Sequence, residues 1–194
     1  MVNYCGRFIQ NLTTLTQPLQ ELTKTRTTWE WGPTQEQAFQ DTKAALSADT
    51  TLVYFNPAHS TTLAVDASPT GLRAVLTQQQ PDGEWAPVAY ASRALTETEQ
   101  RYSQIEKEVI VIHWGCRHFH LYVYGHPFTV HTDHKLLITL FQGSASKPPP
   151  SIKKWILQLQ EYSYTVEYRP GALNPADFLS RHPRSATDQE TREA

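Results

Sequence analysis

Three short runs rich in apolar and β-branched residues, TLAVD at 62–66, GLRAVLTQQQ at 71–80 and EWAPVAYASRAL at 84–95, follow one another with little but turn-forming residues between them. Links this short cannot carry the crossover that a parallel pair needs, so the three runs read as consecutive antiparallel strands. Pro81, Asp82 and Gly83 supply the second turn. Once such a meander exists, everything after it must either cover the sheet or extend it.

The pattern then changes period. TETEQRYSQIEKEVIVIHWGCRHFHLYVYG reads as one long helix, with Thr96 as N-cap, Glu99 three residues later as in a capping box, and Gly125 as the stop. PFTVHTD reads as a fourth strand and YTVEYRP as another. Between them lie a short helix HKLLITLF, a Ser/Pro-rich loop QGSASKPPPS and a helix IKKWILQLQEY, and a last helix NPADFLSRH follows. Upstream, Phe8, Leu12, Leu15, Leu19 and Leu22 recur as one helical face interrupted at Pro18, and a second helix starts near Pro33. Strands with helices between and after them predict a mixed α/β layer, its sheet covered by helices and preceded by a helical arm.

With 194 residues the chain can bury a core of its own. Its 17 basic and 19 acidic side chains leave a formal charge of -2. Without an overall basic field, contact with a polyanion has to come from a local patch or from bound cations. Cys5 and Cys116 are far apart, which suggests neither a disulfide framework nor a zinc site and fits a reducing, intracellular compartment. No apolar run reaches membrane-spanning length. The histidines at 113, 118, 120, 126, 131 and 134 have aromatic neighbours and read as packing and surface residues rather than a metal cluster.

Acidic residues break the pattern in three places. Asp66 ends a strand, Glu108 lies between Ile105 and Val109 on the long helix, and Asp133 ends the fourth strand. Each is costly if buried alone. If the first and fourth strands lie side by side, Asp66 and Asp133 sit at adjacent strand ends and the helix lays Glu108 across them. A fourth acid, Asp177, sits one turn into the final helix. Like charges this close raise one another's pKa unless a cation separates them, and oxygen-only ligands favour hard divalent ions such as Mg²⁺. Two such ions about 4 Å apart can activate water and stabilise a leaving oxygen in phosphodiester cleavage.

VDASPTGLRAVLTQ, YASRALTETEQRYSQIEKEV, FTVHTDHKLL and NPADFLSR together resemble the ribonuclease H domain of reverse transcriptases from gypsy-class LTR retrotransposons and related retroviruses. The resemblance runs from about residue 60 to 182, and residues 3–55 are similar to the segment joining the polymerase to this domain. It implies a ribonuclease H-like mixed five-stranded sheet, three antiparallel strands followed by parallel additions. It also implies a helical connection segment at 1–55, a ribonuclease H-like domain at 56–183 and a tail at 184–194. The family's acidic quartet falls on Asp66, Glu108, Asp133 and Asp177 as catalytic residues and metal ligands for two Mg²⁺ ions, with Mn²⁺ as substitute. Glu106 is the rival at the helical position, but it lies about 200° away around the helix from Glu108, which directly precedes an apolar run.

The implied reaction is hydrolysis of the RNA strand of an RNA·DNA hybrid, read through its shape and 2′-hydroxyls, with a polymerase domain as partner in cis or in trans. Ser68, Thr70, Arg73 and Lys135 lie beside the quartet and are candidates for backbone contacts. Arg73 stands where the family commonly has Gly, which leaves two readings open: a disturbed second strand or an added phosphate contact. The segment between Asp133 and Asp177 lacks the Lys/Arg-rich protrusion of cellular ribonucleases H, which implies weak unaided binding. No polymerase, protease or integrase motif is present, so the chain is expected to be a piece of a larger polyprotein or a remnant of a decayed element, acting in a cytoplasmic particle or the nucleus. The competing reading is a catalytically silent module of the same fold.

Overall fold

The computed structural model describes residues 6–25, 27–47, 52–141 and 148–170. The meander forms as β1 (Thr61–Ala67), β2 (Gly71–Gln79) and β3 (Trp85–Ala94), paired antiparallel. β4 (Phe128–Thr132) adds parallel to the other edge of β1, and β5 (Tyr164–Tyr168) parallel to β4. The resulting five-stranded mixed sheet has the order β3-β2-β1-β4-β5, as the resemblance implies. Each parallel addition needs a crossover, and helices provide both.

Where one long helix is expected, the chain forms three: α3 (Glu97–Gln100), α4 (Gln104–His118) and α5 (His120–Val123). The break has a local cause. Thr96 and Glu99 close the expected capping box, but Ser103 and Glu106 close a second one, so the helix restarts at Gln104. Gly125 takes a φ of 77° beyond α5, in keeping with its role as the stop.

α4 lies across β1 and β2. Its Gly115 comes so close that a Cβ there would meet Leu63 and Val65 at 3.4 Å and Ala74 at 3.5 Å. The core gathers on that face: Leu63, Val65, Leu72 and Leu76 from the sheet, Val109, Val111 and Ile112 from α4. Further helices, α6 (Leu136–Phe141) and α7 (Pro150–Leu159), add Leu137, Ile152 and Leu159 to the same core.

The arm consists of α1 (Leu12–Leu22) and α2 (Pro33–Ser47). Pro18 does not interrupt α1, contrary to expectation; the helix runs through it with Leu12 and Leu22 buried at its two ends. The arm is tied to β3 where the Thr13 amide and hydroxyl both donate to Ser92 Oγ, at 3.1 and 2.9 Å. Among the described residues no helix is long and apolar enough to cross a membrane. The expected helix at NPADFLSRH, with Asp177, lies outside the described residues.

Candidate active site

Asp66 is the last but one residue of β1, and its cross-strand partner on β2 is Arg73. Directly opposed residues share a face. The pair has closed: Arg73 Nη2 lies 2.6 Å from Asp66 Oδ2, both side chains 25% exposed. Parallel pairing of β1 with β4 ends at Ala64 opposite His131. Carried two residues further, that register would set Asp133 opposite Asp66. Asp133 itself stands one residue beyond β4 rather than inside it. The chain turns there, with the His134 amide donating to Thr132 Oγ1 at 3.1 Å.

α4 supplies the third acid. Glu108 is buried, with 2% exposure. Gln104, one turn earlier, donates to Glu108 Oε1 at 2.7 Å, while Glu108 Oε2 is buried without a hydrogen-bond partner. Burial first, and then the negative charge of Asp133, push the Glu108 carboxyl up to about 8; the Gln104 hydrogen bond works against them, and Asp66 adds a smaller push upward. Glu108 therefore senses both aspartates, Asp133 more strongly.

The rival acid is occupied elsewhere. Glu106 Oε2 accepts from the Ser103 amide at 3.1 Å and the Ser103 hydroxyl at 2.8 Å, and Oε1 accepts from Ser151 Oγ at 2.7 Å. It caps α4 and ties it to α7; these hydrogen bonds hold its carboxyl below the usual range.

Among the described residues no three His, Cys, Asp or Glu side chains close into a metal-ligand set. Glu108 feels the charges of Asp133 and Asp66, while the Arg73 guanidinium sits on Asp66 and Gln104 on Glu108. The donor set nevertheless fits a hard divalent cation: its atoms are all carboxylate oxygens, and a buried one lacks a partner.

The four residues considered for backbone contacts separate into distinct environments. The Ser68 hydroxyl closes the β1–β2 turn, donating to the Gly71 carbonyl at 3.0 Å and accepting from the Gly71 amide at 2.9 Å. Thr70 and Lys135 are exposed. Arg73 does not disturb β2, whose pairing runs unbroken through it, the one shift with β3 lying between Leu76 and Thr77. It turns toward Asp66 instead of outward.

Two contributors escaped the sequence reading. Gln104 had a signal, since a residue four before Glu108 faces it on a helix. Asn11, which accepts from Arg73 Nη1 at 3.3 Å, had none, because 62 residues separate the two.

A family model described as the RNase H-like domain found in reverse transcriptase matches residues 56–162. The Retrovirus-related Pol polyprotein from transposon 412 of Drosophila melanogaster is 41% identical over 180 residues, 92% of this chain and 14% of that protein. The Transposon Tf2-3 polyprotein of Schizosaccharomyces pombe is 34% identical over 183 residues, 93% of this chain and 14% of that protein. The chain thus spans a small fraction of the length of these relatives. In fold it is similar to a foamy viral protease-reverse transcriptase solved in complex with RNA/DNA hybrid, with a TM-score of 0.66 and 20% identity over 96% of this chain and 25% of that one. A mixed sheet in this strand order, a family match over more than half its residues and relatives among transposon polyproteins lead to one conclusion: this chain belongs to the RNase H-like domains found in reverse transcriptases, of the kind carried by retrotransposon polyproteins.

Proposed function

We propose that this chain is a metal-dependent endonuclease that hydrolyses the RNA strand of RNA·DNA hybrids, as the ribonuclease H part of a retrotransposon reverse transcriptase. The observation that carries the reading is Glu108. It is a buried carboxyl with an unpartnered oxygen, raised to about 8 by burial and by the charges of Asp133 and Asp66. A chain gains nothing in stability from such a group, and a bound cation is what would relieve it.

Asp66, Glu108, Asp133 and Asp177 are the residues that would hold Mg²⁺ or Mn²⁺, Asp177 by family resemblance alone. When bound, the ions supply charge that activates a water and stabilises the leaving oxygen. The chain's own contribution is positional. In this reading the ends of β1 and β4 offer one carboxylate each, Gln104 orients the third, and the capping box at Ser103 sets where α4 begins and so where Glu108 falls. Residues 1–55 serve as the connection to a polymerase domain, residues 56–183 as the nuclease, and 184–194 as a tail. A polymerase in cis or in trans supplies the substrate grip, since the sequence between Asp133 and Asp177 carries no Lys/Arg-rich protrusion.

A second reading, a catalytically silent module, draws on the Arg73–Asp66 ion pair, which neutralises one of the four acids. Incubation with a labelled RNA·DNA hybrid and Mg²⁺ or Mn²⁺ separates the two, with Asp66→Asn alongside. Cleavage that disappears in the variant supports the enzyme. Equal product from both proteins defeats it, and hybrid binding without cleavage favours the silent module.

A further inference from the structure

Asp66, Arg73 and Ser92 are successive partners across β1, β2 and β3. They form one row of side chains on the face opposite Leu63 and Val65, by strand alternation. The arm meets this row at two points. Thr13 donates twice to Ser92 Oγ. Asn11 stands at the N-terminus of α1 with a φ of 55° and makes no side-chain cap to the helix; its Oδ1 accepts from Arg73 Nη1 at 3.3 Å instead. Arg73 is thus held between the arm and Asp66. Its Nε is buried with no hydrogen-bond partner, so this seat leaves part of the guanidinium unsatisfied.

We propose that Arg73 is a built-in competitor for the divalent cation at Asp66, held in place by Asn11 of the N-terminal arm. The inference rests on the reading of Asp66 as a metal ligand. A guanidinium 2.6 Å from Asp66 Oδ2 repels a divalent cation brought to the same carboxylate and takes up part of its charge. Metal entry is therefore favoured when Arg73 gives up Asp66, and the seating of the arm sets how readily it does so. The chain then demands a higher metal concentration than an equivalent chain without a cation at this position, and a partner that shifts α1 lowers that threshold. A basic residue one strand away from the reacting centre, once released, is also free to meet a phosphate.

The test is Mn²⁺ binding to the metal-free full chain, read from the EPR signal of unbound Mn²⁺, for wild type, Arg73→Met, Asn11→Ala, Asp66→Asn and the double variant Asp66→Asn/Arg73→Met. A partly exposed ion pair is worth up to about 1 kcal/mol, so Arg73→Met should lower the half-saturating Mn²⁺ concentration by up to about fivefold. Asn11→Ala should shift it the same way by less, and the gain should vanish when Asp66→Asn is already present. A merely structural Arg73 would change thermal stability without changing metal affinity. Equal affinities in folded wild type and Arg73→Met overturn the inference. If Arg73→Met does not fold, unchanged affinity in Asn11→Ala does so. If wild type and the Arg73 and Asn11 variants all fail to bind Mn²⁺, the metal-site reading itself falls and the inference with it.

Discussion

Replacing Glu108 by Gln removes one ionisable proton from a buried position while keeping an oxygen to accept the Gln104 hydrogen bond. In the folded chain the carboxyl rises from 4.5 to about 8, through burial and the nearby charges of Asp133 and Asp66. Between those two values the folded chain retains a proton that the unfolded chain has released. The unfolded state binds fewer protons there, so stability falls as pH rises, by about 1.4 kcal/mol per pH unit, and levels off above the folded value. Between pH 6 and 9 this single group should cost the metal-free protein about 3 kcal/mol. With a urea slope of about 2 kcal/mol per molar, the unfolding midpoint should drop by more than about 1 M. The assay is urea unfolding in EDTA at pH 6 and pH 9 for wild type and Glu108→Gln. All other titrating groups are common to both proteins and cancel in the difference. Glu108→Gln should therefore equal wild type to within its small packing effect at low pH and exceed it at pH 9. Parallel pH dependences for the two proteins would refute the claim that Glu108 is buried between like charges.

Glu106→Ala should cost about 1 kcal/mol in urea unfolding by removing the α4 capping box and the Ser151 contact, and lower hybrid cleavage far less than Glu108→Gln does. A cleavage loss matching that of Glu108→Gln would move the catalytic role to Glu106. Gly115→Leu should destabilise the chain by about 1–3 kcal/mol, because α4 lies against Leu63, Val65 and Ala74 with room for little beyond a Cβ. An unchanged melting temperature would show that α4 does not seat on β1 and β2 as described.

Much of the fold follows from local pattern. Apolar, β-branched runs separated by turn residues produce the three-stranded meander, because links this short admit no crossover. The start of α3 was legible in Thr96 and Glu99, and the burial of Glu108 in the apolar run at Val109. The division of one expected helix into three was equally local, since SQIE at 103–106 repeats the capping pattern of TETE at 96–99. There a second local signal outweighed a continuous helical period.

What composition and spacing do not encode is which side chains meet after the sheet assembles. Hydrogen-bonding period and capping chemistry act within a few residues, so sequence by itself determined where strands and helices begin and which acids interrupt them. Cross-strand register and arm docking join residues far apart in the chain. Only tertiary structure decided that Arg73 turns onto Asp66, that Asn11 reaches across 62 residues to hold it, and that Glu108 loses water beside two other carboxylates. The physical reason is that a charge's cost depends on the solvent and partners around it, and those exist only once distant segments have packed.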